Sequence, residues 1–218
     1  MKLVRADLHV HTLYSDDSSN PLEGIIESCL KRSIDCLNIC DHNTIEGALE
    51  LKKIAPFQVI VSEEIESTEG EVMGLFLKET IPAGMSPEDS IAAIRHQGGL
   101  VCIPHPFEVF RSSAMKAQTI ERIKHLIDMV EVKNAKTLPF QDTGRSLRFA
   151  RENQLRMTAG SDAHTLREIG NYYLEMPEFN DNHSFLASLD AAVIGGKGTG
   201  FTTHCYSLFR RCLAKTGF

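Results

Sequence analysis

No Cys-x-x-Cys pair occurs among Cys29, Cys36, Cys40, Cys102, Cys205 and Cys212, so the pattern of a structural zinc ribbon is missing and buried, reduced thiols are expected. No apolar run reaches the length of a membrane span, so no membrane association is expected. The opening residues enter a strand-like run without a signal-peptide layout, which gives a cytoplasmic expectation. No Pro/Ser-rich linker, composition break or internal repeat divides the chain. Positive charge is also short: the formal net charge of −6 speaks against a general duplex-DNA binder, which would carry a basic face. Two or three bound divalent ions would nevertheless bring about +4 to +6 into one site and could reverse its field locally.

Within 218 residues, 42% of them apolar and 24% charged, there is material for one sizeable domain with a full core. Strand-like runs at 2–9, 34–40, 57–61, 99–103, 129–132 and 156–159 alternate with helix-like runs at 21–32, 45–54, 87–97, 116–127 and 143–153. Two further strands are expected at 71–77 and 172–175, and a last helix at 182–193. Ser86 as N-cap, Pro87 at the first helical position and Gly98-Gly99 as a stop define the third helix. This alternation predicts an α/β fold with a parallel sheet, and six or seven β/α units favour a closed barrel. The expected organisation is a single domain over 1–218, with a C-terminal extension at 194–218 packing on the barrel. The glycine-rich stretch at 194–200 reads as a flexible turn, because it lacks the strand-loop-helix frame of a nucleotide loop.

Chemistry concentrates in short clusters: Asp7-Leu8-His9-Val10-His11, Asp41-His42, Glu63-Glu64, Pro104-His105-Pro106 and Ser161-Asp162-Ala163-His164. On a strand, residues i and i+2 share a face, so His9 with His11 and Asp162 with His164 form two pincers. Imidazoles and carboxylates concentrated at the ends of apolar runs need a compensating partner, and a set of divalent metals supplies one. The clusters fall just after strands, which in a β/α barrel converge on the C-terminal mouth. Such mixed ligands suit zinc, manganese or iron, and metals a few ångströms apart suit in-line displacement by an activated water. An anionic substrate would also need cationic anchors; Arg111, six residues after His105, is the first choice, followed by Lys133 and Arg145. Glu63 should point to the opposite side of its strand from Glu64.

The ordered motifs Asp7-Leu8-His9-Val10-His11-Thr12-x-x-Ser15-Asp16, Asp41-His42-Asn43-Thr44-x-x-Gly47, Glu64, His105-Pro106 and Gly160-Ser161-Asp162-Ala163-His164 together resemble the PHP (polymerase and histidinol phosphatase) family. The resemblance covers about the first 175 residues. It implies a distorted (β/α)7 barrel with two to three divalent ions at its mouth (zinc, manganese or iron, with magnesium as a further candidate) and phosphoester hydrolysis.

Carried onto this sequence, it assigns His9, His11, Asp162 and Glu64 to one metal. Glu64 bridges to a second, shared with His105, and Asp16, His42 and His164 hold a third. Glu64, Asp162 and His164 are the expected catalytic residues. Glu71 and Asn134 stand where the family often has other ligands, and both are candidate metal ligands here. Asp7 and Asp41 are expected to orient ligand histidines by accepting their other ring N–H. The function implied is a metal-dependent phosphoesterase acting on a nucleotide, short oligonucleotide or phosphate monoester, with homo-oligomerisation left open. Two alternatives are a metal-binding assembly module without catalysis and a metal-dependent C–N hydrolase.

Overall fold

The computed structural model describes residues 2–138, 141 and 144–198. One nine-stranded sheet is built from β1 (Leu3–Val10), β2 (Cys36–His42), β3 (Gln58–Ser67), β4 (Gly70–Leu75), β5 (Leu100–Ile103), β6 (Met129–Asn134), β7 (Arg156–Gly160), β8 (Tyr172–Pro177) and β9 (Val193–Gly196), in the order β7-β6-β5-β4-β3-β2-β1-β8-β9. Helices α1 (Leu22–Arg32), α2 (Glu46–Ile54), α3 (Pro87–His96), α4 (Ala117–Ile123), α5 (Gly144–Glu152) and α6 (Asn182–Leu189) accompany it. The sheet curls until β1 meets the segment after β7: His11 N donates to Ala163 O (3.1 Å) and Ala163 N to His9 O (3.3 Å). Lower down, β8 pairs antiparallel with the first half of β1.

The expected α/β barrel class is present, but strict repetition of seven β/α units is not. β4 runs antiparallel to both β3 and β5, and β8 and β9 are also antiparallel. Only Thr68 and Glu69 separate β3 from β4, too few residues for a crossover helix, and Gly70 at φ 123 completes the reversal. The tail differs from expectation as well. The last helix stops at Leu189, and Val193, expected at its end, joins residues 194–196 of the expected glycine-rich turn to form β9 on β8. The remainder of the 194–218 extension, from 199, lies outside the described residues.

Side-chain alternation separates two cores. Val4, Ala6, Leu8, Cys36, Cys40, Ile60, Met73, Leu75, Cys102 and Met129 fill the barrel, while Val10, Leu37, Ile39, Val61, Val101, Ile103 and Val130 face the helix layer. α6 closes the end opposite the mouth, where Phe185 meets Phe179 (4.9 Å between centroids) and Phe76 (5.4 Å) edge-on. Asp181 and Ser184 cap α6 reciprocally. At α3, Ser86 Oγ accepts from Asp89 N as its sequence predicts. The four described cysteines are buried and free, and burial pushes the Cys40 thiol up to about 12. Among the described residues no helix is long and apolar enough to cross a membrane.

Candidate metal centre

The mouth is prepared by an irregularity in β1. Its pairing with β2 shifts register between Asp7 and Val10. Below the bulge, Val4, Ala6 and Leu8 belong to the barrel interior; beyond it, Val10 belongs to the helix side. The phase change turns His9 and His11 into the barrel and leaves Asp7 outside it. β7 comes so close to this bulge that a Cβ at Gly160 would lie 2.3 Å from His9 Cβ. Asp162, just after β7, has φ 53, and His105, just after β5, has φ 28, both uncommon for non-glycine residues.

Glu64 occupies the centre. Its Oε1 lies 2.9 Å from His105 Nε2 and 3.5 Å from His9 Nε2; its Oε2 lies 3.3 Å from His42 Nδ1 and 3.4 Å from His11 Nε2. Glu71 joins it through Oε2, 3.3 Å from His105 Nε2, and Oε1, 3.7 Å from His42 Nδ1. The reversal into β4 thus delivers Glu71 to the mouth from the beginning of a strand. Three groups that could each hold a metal ion result: His9, Glu64 and His105; His42, Glu64 and Glu71; and His11, His42 and His164. Cys40 forms a fourth with His9 and His11.

The second pincer stands opposite. Asp162 Oδ1 is 3.6 Å from His11 Nε2, 3.8 Å from His9 Nε2 and 3.4 Å from His164 Nδ1. Its other oxygen accepts from Arg111 Nη2 (2.8 Å) and Asn134 Nδ2 (3.1 Å). Arg111, with Nε on Glu108, therefore lies half-buried at the site beside an acid. Asn134 turns its amide nitrogen towards Asp162 and Glu131, while its oxygen accepts from Lys136 N.

Several sequence expectations are redistributed. Asp16 is exposed; Asp17 carries the acid to His164 Nε2 (3.1 Å) and His42 Nε2 (3.5 Å), because the turn after β1 points consecutive side chains in different directions. Neither Asp7 nor Asp41 takes a ring N–H. Asp7 accepts from the backbone of His9, Ser161 and Gly170 and from the Ser161 hydroxyl, tying β1 to the chain after β7. Asp41 accepts from Thr12 and from Ser15 Oγ, and reaches His11 Nδ1 only through that serine. The carboxylate that meets a ligand ring is Glu131, 3.1 Å from His9 Nδ1, whose other oxygen accepts from His105 N.

Glu131 escaped the sequence reading because it lies mid-strand with no motif around it; the interior phase of β6 was its only signal. Lys136 was missed too. Its Nζ lies 2.5 Å from His164 Nδ1 and 3.7 Å from Asp162 Oδ1, whereas Lys133 is half-buried earlier on β6. Arg145 is exposed, its guanidinium 4.3 Å above the Phe107 ring, on a cavity that His105 also lines. Glu63 faces away, accepting from Ile81 N.

The electrostatics are those of a site crowded with ligands. Burial works against charge on Glu64, but His9 and His105 outweigh it and hold the carboxyl well below its usual range. Glu71 is shifted upwards by burial and by the charge of Glu64. Burial would lower His42, yet Asp17 and Glu64 raise it to about 9. His11 is driven well below its ordinary value by burial and by His164 and His42. Among the described residues, Glu71 Oε2 and Asp162 Oδ1 are buried carboxylate oxygens without a hydrogen-bond partner. Buried acceptors facing one another without donors are costly, and divalent cations would relieve that cost. The donor set fits the metals that the motifs imply.

The PHP domain profile matches residues 7–69, and the PHP-associated profile matches 141–194. An uncharacterized protein of Methanocaldococcus jannaschii is 36% identical over 181 residues, 81% of this chain and 72% of that protein. Among solved structures, a two-domain protein of Bacteroides vulgatus containing a predicted PHP-like metal-dependent phosphoesterase superposes with a TM-score of 0.71 at 14% identity, covering 97% of this chain and 70% of that one. An amidohydrolase of Chromobacterium violaceum gives 0.63 at 15%, covering 86% and 97%. The lesion-specific endonuclease of Pyrococcus furiosus gives 0.63 at 13%, covering 88% and 58%. With barrel, motif order and matched profiles in agreement, this chain belongs to the PHP family.

Proposed function

We propose that the chain is a metal-dependent hydrolase of small phosphoesters. The observation that carries this reading is the convergence of His9, His11, His42, Glu64, Glu71, His105, Asp162 and His164 on one mouth, with buried carboxylate oxygens of Glu71 and Asp162 lacking hydrogen-bond partners among the described residues. Glu64, common to two of the candidate groups, would contribute to both, Asp17 would take the role first given to Asp16, and Glu131 would orient the His9 ring through Nδ1. Bound divalent ions supply Lewis acidity and a hydroxide-forming water at neutral pH.

The chain's own contribution is orientation and charge. Arg111 and Lys136 place two cationic side chains beside Asp162, where they would receive phosphate oxygens. Asp162 and His164, between those cations and the ligand groups, would order the attacking water and handle its proton. The negative net charge and the cavity beside His105 favour a small ester over duplex nucleic acid.

The test is phosphate release from a panel of monoesters and short diesters after loading with Mn²⁺, Zn²⁺ or Fe²⁺, with and without chelator. Release that chelation abolishes supports the reading. Metal-loaded protein that is inert on the panel, or that hydrolyses amides instead, overturns it.

A further inference from the structure

The peptide that joins Leu8 to His9 is the pivot of the bulge in β1. The register with β2 passes from Asp7–Leu37 to Val10–Ile39, so Leu8 and His9 both stand opposite Asn38 and neither has a paired residue of its own in β2. Side chains take over there. Asn38 Nδ2 donates to Leu8 O (3.0 Å), and His9 N donates to Asp7 Oδ1 (3.3 Å). The carbonyl and the N–H of one peptide are thus each held by a side chain. Because the peptide is planar, its orientation sets ψ at Leu8 and φ at His9, and with them the direction in which the His9 side chain leaves the strand.

The two holds differ. Asp7 makes its closer contacts elsewhere, with Ser161 N (2.9 Å) and Gly170 N (2.8 Å), and so belongs to the joint between β1 and the chain after β7. Ala163 N, which donates to His9 O (3.3 Å), acts from that side too. Asn38 is the hold from β2. Its amide is buried in the barrel, where Cys36, Cys40, Ile60 and Met73 are apolar neighbours on the inward face. A primary amide in such a place is costly unless it is matched. Here Ser62 Oγ donates to Asn38 Oδ1, and Nδ2 also reaches Met73 Sδ (3.3 Å). These contacts leave the amide one orientation, with its donor on the bulge carbonyl. An apolar residue at 38 would fill the space but would take that donor from a buried carbonyl.

We propose that Asn38 is a positioning residue for the metal centre: braced by Ser62, it holds the Leu8–His9 peptide in its bulged orientation and so keeps the His9-x-His11 pincer aimed into the mouth. It acts through the backbone of β1, whereas Glu131 acts on the His9 ring itself. The inference rests on the metal-centre reading for its consequence and on the bulge alone for its geometry.

The test compares Asn38→Leu with Met73→Leu, which keeps the core volume and leaves the bond to Leu8 O in place. Asn38→Ala replaces the first variant should it not fold. In metal-free protein, NMR hydrogen exchange of His9 N–H is measured relative to Leu77 N–H, which donates to Val61 O (3.0 Å) outside the bulge, so that a general loss of stability cancels. That ratio should rise about tenfold or more in Asn38→Leu and stay within about twofold in Met73→Leu. Zinc affinity, from competition with a chelating dye, should fall about tenfold or more in Asn38→Leu alone. An unchanged exchange ratio, a zinc affinity equal to that of the wild type, or equal effects in Met73→Leu overturns the proposal. If the wild type binds no metal, the metal-centre reading fails, and the exchange ratio still decides whether Asn38 holds the peptide.

Discussion

Glu63 adjoins Glu64, the central candidate ligand, yet faces the helix layer, and its environment makes a quantitative prediction. One carboxylate oxygen accepts from Ile81 N at 2.9 Å; the other is buried and, among the described residues, has no partner. Burial raises its pKa from 4.5 to about 7. The folded-state value lies above the unfolded one, so Glu63's contribution to stability is fully present below about pH 4.5 and is lost as pH rises through 7. A shift of about 2.5 units corresponds to about 3 kcal/mol at most.

Glu63→Gln keeps an acceptor for Ile81 N and cannot ionise. Its advantage over the wild type should be less than about 1 kcal/mol at pH 5 and grow to about 3 kcal/mol at pH 8. Paired urea titrations should show the midpoint difference widening by roughly 1 M across that range. A variant less stable than the wild type at pH 8, or a difference that stays flat from pH 5 to pH 8, would refute the argument.

Asp17→Asn should lower metal content measured by elemental analysis, while Asp16→Asn, at an exposed position, should leave it unchanged. Glu131→Gln removes the charged acceptor from His9 Nδ1 and should weaken metal affinity about 10–100-fold by calorimetric titration, with far-UV circular dichroism preserved. Phe185→Ala opens a cavity among Phe76, Phe179 and the barrel floor and should cost about 3–5 kcal/mol in chemical denaturation.

Much of the fold was legible because helix caps and apolar alternation are local. Ser86, Pro87 and Gly98 marked α3 closely, and the strand-helix alternation announced the barrel. The candidate ligand histidines were legible because each stands in a short motif. What sequence could not convey was facing. Asp7 sits at the same two-residue spacing from His9 as His11 does, but the bulge puts it on the other side of the sheet. Asp16 and Asp17 differ by one position in a turn that no periodicity governs. Glu131 and Lys136 act through space on residues far away in the chain, and Asn38 declares itself only by the carbonyl it meets in the neighbouring strand.

The bulge in β1 makes the centre a matter of parity. Removing one residue at the bulge would restore a regular ladder with β2, and the strand would pair better than before. That deletion would keep His9 and His11 facing the barrel, because Leu8 and His9 share the inner face at the bulge and only one of them would be lost; straightening the strand at its full length would instead turn both histidines towards the helices and carry Val10 into the barrel. The extra residue thus sets the facing of two candidate ligands jointly, and losing the bulge without losing a residue would strip the mouth of both while leaving every histidine in the sequence.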